Sequence, residues 1–292
     1  NETMYHGIMN VYKEPGYTSH DVVARLRGIL KQKKIGHTGT LDPAAEGVLP
    51  VCLGMGTRLC DMLTDRTKTY EAVMLLGMTT DTQDTTGQVL EDRHHAAMGL
   101  EEAAVTEAVL GFKGDYDQIP PMYSALKVDG KKLYELARAG KEVERQARQV
   151  QILEIRVDKV VLPRVWMTVT CSKGTYIRTL CHDIGGKLGC GGCMEHLTRT
   201  RVDRFDIKDS LRLDEIERIR DEGGLDTCIL PVETALEGYA GLKVLPEADA
   251  FLYNGNPCFK GQLDAGDGCL DGLEDGLRFR MYDSKGHFVG CI

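Results

Sequence analysis

The stretch from residue 36 to residue 47 is the part of the chain whose residue types could support chemistry. It reads Gly36-His-Thr-Gly-Thr-Leu-Asp42-Pro-Ala-Ala-Glu-Gly47 and predicts an ordered loop or a set of turns. The substring Thr-Gly-Thr-Leu occurs in the phosphorylation loop of cation-pumping ATPases, but there an aspartate stands three residues before the glycine, where this chain has Gly36. A phosphate-cradling P-loop is also excluded, because the pattern Gly-x4-Gly-Lys-[Ser/Thr] occurs nowhere. Asp42 precedes a proline and, taken alone, indicates a turn residue.

The cysteines give little reason to expect a metal site. Ten of them are scattered along the chain, mostly inside apolar stretches, which is typical of reduced thiols packed as small hydrophobic groups. One cluster, Cys190-Gly-Gly-Cys193-Met-Glu-His196, has metal-like spacing. A structural zinc site normally has a second paired set of ligands, and the sequence offers none. We therefore predict no metal and no disulfide framework.

Elements on both sides of the loop must hold it in place. A short strand is predicted over residues 7–12, closed by a turn at Lys13-Glu-Pro-Gly16. Thr18-Ser-His-Asp21 reads as a capping box that begins a helix with apolar residues at helical spacing. After the loop, the apolar residues 48–53 return to the core.

The middle of the chain predicts further elements and one basic segment. A strand is expected over residues 70–77, a polar loop over 79–87 and a helix near 101–111. The segment from about 114 to 150 has little apolar content and looks like a basic excursion from the core. Its helical stretch begins with Lys131 and Lys132.

The remaining elements include the helix that contains Arg178 and a separate module at higher residue numbers. Strands over about 152–160 and 165–171 run into a helix whose first turn contains Arg178. From about residue 241 the chain is rich in glycine and in short strand-like stretches, and Asn254-Gly255 predicts a hairpin there. This part predicts a small β module that ends the chain.

Composition and charge limit the class of protein. The 292 residues are 42% hydrophobic and 27% charged, as expected of a globular protein with a large and a small domain. No apolar run is long enough for a membrane helix, and the start does not resemble a secretory signal, so we expect a cytoplasmic protein. The net charge is −8, but basic residues exceed acidic ones over 1–40, 113–150 and 151–213. Such segregation permits a positive face on an acidic protein, although a chance distribution of charges over a solvated surface gives the same pattern.

Six matches in order, spanning about residues 13 to 205, resemble the TruB family of pseudouridine synthases. They are Lys13-Glu-Pro-Gly-Tyr-Thr-Ser19, Gly36-His-Thr-Gly-Thr-Leu-Asp-Pro43 with Gly47-Val-Leu-Pro50, Lys68-Thr-Tyr70, Thr80-Asp-Thr-Gln-Asp84, Pro120-Pro-Met-Tyr-Ser-Ala125 and Lys173-Gly-Thr-Tyr-Ile-Arg178. The first contains one residue more before its proline than the family pattern. The resemblance implies an enzyme that turns uridine into its C5 isomer in the T-loop of transfer RNA, at position 55. No metal or cofactor is implied.

The resemblance also implies the parts of the catalytic machinery. Asp42 would be the nucleophile and would pair with Arg178, a cation that keeps the carboxylate charged when RNA seals the site. Asp84 would steady that arginine. Tyr70 would stack on the target base and is a candidate for proton transfer, because a phenol offers both a π face and an O–H.

Contacts with RNA are implied at further positions. His37 would help to flip the target out of its loop and fill the gap, while Leu197 and Lys13 are lesser candidates that line the site. Lys131 and Lys132 are candidate RNA contacts in the basic insertion, which would fold over the T-arm. These groups would grip phosphates rather than read bases.

The implied architecture is an α+β pseudouridine synthase fold with a mixed sheet. The catalytic domain would span residues 4–240, with the basic insertion at about 114–150, and a small PUA-like module would span 241–292. We expect a monomer that needs no protein partner. A non-catalytic RNA-folding module is an alternative that a comparison of tRNA folding with pseudouridine formation in Asp42→Asn would test. A guide-RNA-dependent relative is disfavoured by the insertion and by the lack of basic tails.

Overall fold

A ten-stranded mixed sheet forms the centre of the computed structural model, which describes residues 4–264 and 277–291. Its strands, in chain order, are β1 (Gly7–Lys13), β2 (Ile35–His37), β3 (Glu46–Leu53), β4 (Lys68–Leu76), β7 (Gly114–Gln118), β10 (Arg148–Val161), β11 (Arg164–Cys171), β12 (Gly192–Val202), β13 (Phe205–Asp206) and β14 (Ile229–Leu230). The order across the sheet is β14-β1-β3-β12-β4-β11-β10-β7, with β2 beside β3 and β13 beside β12. Within the described residues, β12 and β3 form the one parallel pair of this sheet.

Smaller strands, nine α-helices and five short 3-10 helices complete the described ranges. The strands are β5 (Met78–Thr80), β6 (Val89–Asp92), β8 (Lys127–Val128), β9 (Lys131–Lys132), β15 (Gly241–Val244), β16 (Leu263–Asp264), β17 (Arg280–Tyr282) and β18 (Phe288–Cys291). The α-helices are α1 (Ser19–Leu30), α2 (Cys60–Thr64), α3 (His94–Met98), α4 (Glu102–Leu110), α5 (Leu133–Arg138), α6 (Ile177–Lys187), α7 (Leu213–Asp221), α8 (Val232–Ala235) and α9 (Asp249–Tyr253). No helix within the described ranges is long and apolar enough to cross a bilayer.

Helix α1 packs its apolar face on β1 and β3. Val22, Leu26 and Ile29 contact the core around Met9 and Val51, which removes a continuous apolar surface from water. The predicted capping box is present, since the side chain of Thr18 accepts from the Asp21 N–H and the Asp21 carboxylate accepts from the Thr18 N–H. The predicted helix is therefore confirmed, whereas the predicted loop over 36–47 is shorter than expected, because its first two residues belong to β2 and its last two to β3.

Alternation in two neighbouring strands points polar side chains into the sheet's covered face. In β4 the buried positions fall on every second residue and include Lys68 and Tyr70. In β12 the same alternation buries Leu197 and Arg199, and Arg199 lies directly opposite Tyr70 across the strands. Because side chains two residues apart lie on one face of a strand, these four line a common surface.

The basic excursion is narrower than the sequence predicts. Its first residues, Gly114–Gln118, form β7, which pairs with the start of β10 from Arg148 onward, so only residues 119–147 leave the sheet. Lys131 and Lys132 form β9, paired with β8, and the helix begins only at Leu133. The predicted helical stretch was therefore two residues too long, because its apolar spacing begins at Leu133.

A four-stranded sheet of order β16-β15-β17-β18 forms the C-terminal β module, and its first strand in the chain, β15, begins at Gly241. Phe288 and Cys291 of β18 pack against the core around Leu236. The predicted hairpin at Asn254-Gly255 is wrong. Asn254 is the C-cap of α9, and Gly255 follows with φ of 72°, a left-handed conformation that is common at helix ends as well as in hairpin turns.

Candidate active site

Asp42 and Arg178 form the ion pair that the sequence predicts. The Oδ2 atom of Asp42 lies 3.0 Å from Nε of Arg178, whose side chain is only 6% exposed, whereas the Asp42 side chain is 43% exposed. Nη1 of Arg178 donates to the carbonyl of Thr82 at 3.1 Å, and Nη2 donates to the carbonyl of Tyr123 at 2.8 Å. The arginine is thus fixed on three sides while the carboxylate stays open to a ligand.

The loop that carries Asp42 is held by a buried arginine and by a serine hydroxyl. Nε of Arg199 donates to the carbonyl of Val48 at 2.8 Å, and Nη2 donates to the carbonyl of Gly39 at 3.1 Å. Ser19 Oγ accepts from the Leu41 N–H at 3.0 Å. These contacts explain how a stretch without regular secondary structure can hold the Asp42 carboxyl group in one position.

Both groups open into a cleft of about 540 Å³. Tyr70, Leu197 and Arg199 line its inner wall. Tyr70 is 8% exposed, and burial raises the pKa of its phenol, although Arg199 beside it acts in the opposite direction. The cleft therefore combines a carboxyl group, an aromatic ring and apolar surface, which suits a planar base attached to a sugar.

Lys13 does not line this cleft, although the sequence made it a site-lining candidate, and a contact with RNA stays a prediction. It is the last residue of β1, whose alternation points its side chain inward, and it is 0% exposed. Its Nζ donates to the carbonyls of Glu14, Tyr17 and Pro43. Burial lowers the pKa of Lys13 to about 8. Through its hydrogen bond to the Pro43 carbonyl, Lys13 helps to hold the loop that carries Asp42 in place.

Asp84 supports Arg178 indirectly. Its Oδ1 accepts from the hydroxyls of Thr82 and Thr86 and from the Thr86 N–H, at 2.6 to 3.0 Å. The carbonyl that Arg178 reaches belongs to Thr82. Asp84 therefore reaches Arg178 through the turn that it closes at Thr82, and its role in steadying the arginine stays a prediction.

The other predicted RNA contacts lie outside the cleft. His37 ends β2, and its Nδ1 is buried without a hydrogen-bond partner among the described residues. Burial, and then Arg199, lower the pKa of His37. Lys131 and Lys132 lie in the 119–147 excursion, where Nζ of Lys132 sits 5.4 Å from the centre of the Tyr134 ring. Roles for these residues stay predictions.

Most residues that line the cleft were not predicted as site residues from the sequence, and four of them have polar side chains next to the predicted ones. Lys68 and Arg199 line the cleft, as do Ser124 and Tyr176. The spacing offered a signal for two of them, since Lys68 lies two residues before Tyr70 and Arg199 two residues after Leu197, each on the same strand face. Cys190 and Cys193, by contrast, are buried free thiols whose pKa values are raised by burial.

Comparison with known proteins gives a consistent result. The model of the TruB family pseudouridylate synthase N-terminal domain matches residues 27–177, and that of the tRNA pseudouridylate synthase B C-terminal domain matches residues 178–237. A relative from Lachnoclostridium phytofermentans named tRNA pseudouridine synthase B is 51% identical, covering 97% of this chain and 94% of that protein. A protein of the same name from Clostridium acetobutylicum is 40% identical over the same shares.

Solved structures agree with the sequence relatives. The chain in a Cbf5-Nop10-Gar1 complex superposes with a TM-score of 0.73 at 29% identity, covering 98% of this chain and 77% of that one. A chain of an H/ACA RNP bound to a substrate RNA containing 2'-deoxyuridine gives a TM-score of 0.70 at 26% identity, with the same coverage. With its α+β fold and mixed sheet, the chain belongs to the TruB family of pseudouridine synthases.

Proposed function

We propose that this protein isomerises uridine to pseudouridine in the T-loop of transfer RNA, at position 55, with Asp42 as nucleophile and without a metal or cofactor. The observation that carries the proposal is the pair of Asp42 and Arg178 facing Tyr70 in one cleft. The name tRNA pseudouridine synthase B, borne by relatives that align over almost the whole chain, supports transfer RNA as the substrate.

The reaction breaks the bond between N1 of uracil and C1' of the ribose, and it joins C5 to C1' after the base has rotated. C5 loses its proton and N1 gains one, so the product is an isomer of the substrate. Asp42 can trap C1' or add to C6 of the ring, and both routes need an ionised carboxylate. Arg178 supplies the charge that keeps Asp42 ionised once RNA excludes water from the half-exposed carboxylate.

Tyr70 would hold the freed base during its rotation. Its raised pKa keeps the phenol neutral, so it offers a ring face for stacking and an O–H for proton transfer. Leu197 lies on the same wall and would keep water away from the cleaved sugar. His37, beside the loop that carries Asp42, would fill the space that the flipped nucleotide leaves.

The wider proposal concerns how transfer RNA is held. The basic 119–147 excursion, with Lys131 and Lys132, would contact the T-arm backbone, and the C-terminal β module would act as a PUA-like RNA-binding domain. We further propose a cytoplasmic monomer that needs no protein partner. Size-exclusion chromatography with light scattering, alone and with transfer RNA, tests the last point.

The test of the reaction is release of tritium from C5-labelled uridine in a T-arm RNA. Wild-type protein should release it, Asp42→Asn should not, and the surface variant Glu102→Gln should match wild type. An anticodon-arm RNA should release none. Full release by Asp42→Asn would refute the mechanism, and no release by the wild type would refute the function.

A further inference from the structure

Lys68 is a buried cation that lacks a counter-ion. It is the first residue of β4, is 6% exposed and lines the cleft. Its Nζ donates to the backbone carbonyl of Thr64, and within residues 4–264 and 277–291 no carboxylate lies within ion-pair distance. Asp65, a carboxylate that raises the pKa of Lys68 from a distance, is instead paired with Lys173 at 2.9 Å. Two of the three donors of the ammonium group are thus available to a ligand.

Arg199 adds a second buried cation at the same place. It is 1% exposed, and like Lys68 it forms no ion pair in the part of the chain that the structure describes. A Cβ atom placed on Gly39 would lie 3.6 Å from Nη1 of Arg199 and 3.7 Å from Cε of Lys68, so the two side chains converge on one point of the Asp42 loop. Nε and Nη2 of Arg199 are occupied by carbonyls, whereas Nη1 faces this point.

Two adjacent buried cations without an anion are unfavourable in the free protein. Burial and the proximity of Arg199 lower the pKa of Lys68 to about 8, which reflects that cost. Such an arrangement is favourable only when an anion enters the cleft and neutralises the charge. RNA carries one kind of anion, the backbone phosphate, and both side chains are donors that bind phosphate oxygens.

We propose that Lys68 and Arg199 form a binding site for the backbone phosphate next to the uridine that is isomerised. The inference rests on the proposed function, because it takes RNA as the ligand of the cleft. Gly39 lies three residues before Asp42, so a phosphate held here fixes the ribose of the target beside the carboxylate. Lys68 is therefore a substrate-binding residue, and Arg199 both binds the phosphate and positions the Asp42 loop.

The experiment removes the charge from each partner in turn. The dissociation constant of a T-arm RNA hairpin is measured with unmodified RNA and with a neutral methylphosphonate on the 5' or the 3' side of the target uridine. The proteins are wild type, Lys68→Met, Lys68→Arg and Lys113→Met. Lys113 is an exposed lysine outside the cleft, paired with Glu154, and serves as the matched control.

For wild type, one of the two methylphosphonates should weaken binding about tenfold, as expected for a charged hydrogen bond. Lys68→Met should weaken binding of unmodified RNA by a similar factor and be insensitive to that methylphosphonate. Lys68→Arg and Lys113→Met should keep the wild-type sensitivity. Lys68→Met should also reduce the slope of log affinity against log salt concentration by roughly one. The control variant Lys113→Met should change this slope less.

Two outcomes overturn the proposal. One is wild-type protein that is insensitive to both methylphosphonates, a result that does not depend on any variant folding. The other is a methylphosphonate loss that persists in full in Lys68→Met. Circular dichroism and thermal melting check that Lys68→Met is folded. Tritium release measured on the same RNA separates the two claims. If tritium is released but Lys68→Met remains sensitive to the methylphosphonate, the phosphate site alone is refuted. If Lys68→Met loses that sensitivity but the wild type releases no tritium, the proposed reaction alone is refuted.

Discussion

The side-chain amide of Gln118 holds both backbone polar groups of Tyr176. Its Oε1 accepts from the Tyr176 N–H at 2.7 Å, and its Nε2 donates to the Tyr176 carbonyl at 2.9 Å. Gln118 ends β7 and is 1% exposed, and Tyr176 immediately precedes α6. Because Arg178 lies in the first turn of α6, this amide fixes the arginine that pairs with Asp42.

Replacing Gln118 should therefore impair turnover more than RNA binding. We expect Gln118→Ala to lower kcat by roughly tenfold to a hundredfold, since small displacements of a catalytic group are costly, while KM changes little. Gln118→Glu keeps the acceptor for the N–H but places a carboxylate against the carbonyl. A buried glutamic acid has a raised pKa and can donate when protonated, so the activity of this variant relative to wild type should rise as pH falls.

Single-turnover rates between pH 5.5 and 8 measure this effect. Gln118→Ala is the control, because it should show no such recovery at low pH. Equal pH profiles for Gln118→Glu and wild type would mean that the contact with the Tyr176 carbonyl does not position Arg178.

The sequence predicted the elements that depend on local patterns, and it missed what depends on which face of a strand is covered. The capping box at Thr18 and the pairing of Asp42 with Arg178 followed from motifs with a fixed order. The burial of Lys13 did not follow from a motif, because the side chain of a lysine near a turn can point to solvent or to the core, and only the buried face of β1 decides between them. Arg199 was overlooked for the same reason, since alternation identifies a cleft wall only when both strands are known.

Asp84 allows a test of whether hydrogen bonds or charge support Arg178. All three of its contacts with Thr82 and Thr86 use Oδ1. The amide oxygen of Asp84→Asn can accept the same three bonds, so this variant should keep most of the activity. Asp84→Ala should lose about 2 kcal/mol of unfolding free energy, as expected when several hydrogen bonds to a charged group are removed. Its kcat should fall more than tenfold.

Chemical denaturation and tritium-release kinetics on both variants check this prediction. If Asp84→Asn is as impaired in kcat as Asp84→Ala while its stability is normal, the negative charge itself acts on Arg178 across the turn.

Gly47 should tolerate no side chain. A Cβ atom there would lie 2.1 Å from the carbonyl oxygen of Arg199, and its φ of 117° is unfavourable for other residues. We expect Gly47→Ala to lose about 3 kcal/mol or more of unfolding free energy, because backbone would have to move. Gly16→Ala is the matched control, with φ of 92° and open space around its Cβ, and should lose only about 1 kcal/mol. Urea denaturation compares the two, and equal losses would contradict the steric argument.

The buried charge of Lys68 should make its effect on stability depend on pH. Burial first, and Arg199 second, lower the pKa of Lys68 from its ordinary value of 10.5 to about 8. Below pH 8 the lysine is protonated in both states, and the folded protein bears the full cost of the buried charge. Between pH 8 and 10.5 the unfolded chain binds more protons than the folded one, so raising the pH relieves that cost.

Lys68→Met, which has no charge to bury, should therefore be more stable than wild type at pH 7, and its advantage should shrink as the pH rises from 8 to 10. Lys13, whose pKa is also lowered to about 8, is present in both proteins and cancels in the difference. Urea denaturation at four pH values from 7 to 10 measures the effect. Lys113→Met, at an exposed position, should show no such trend, and a Lys68→Met advantage that stays constant with pH would mean that Lys68 is not charged at a cost in the folded protein.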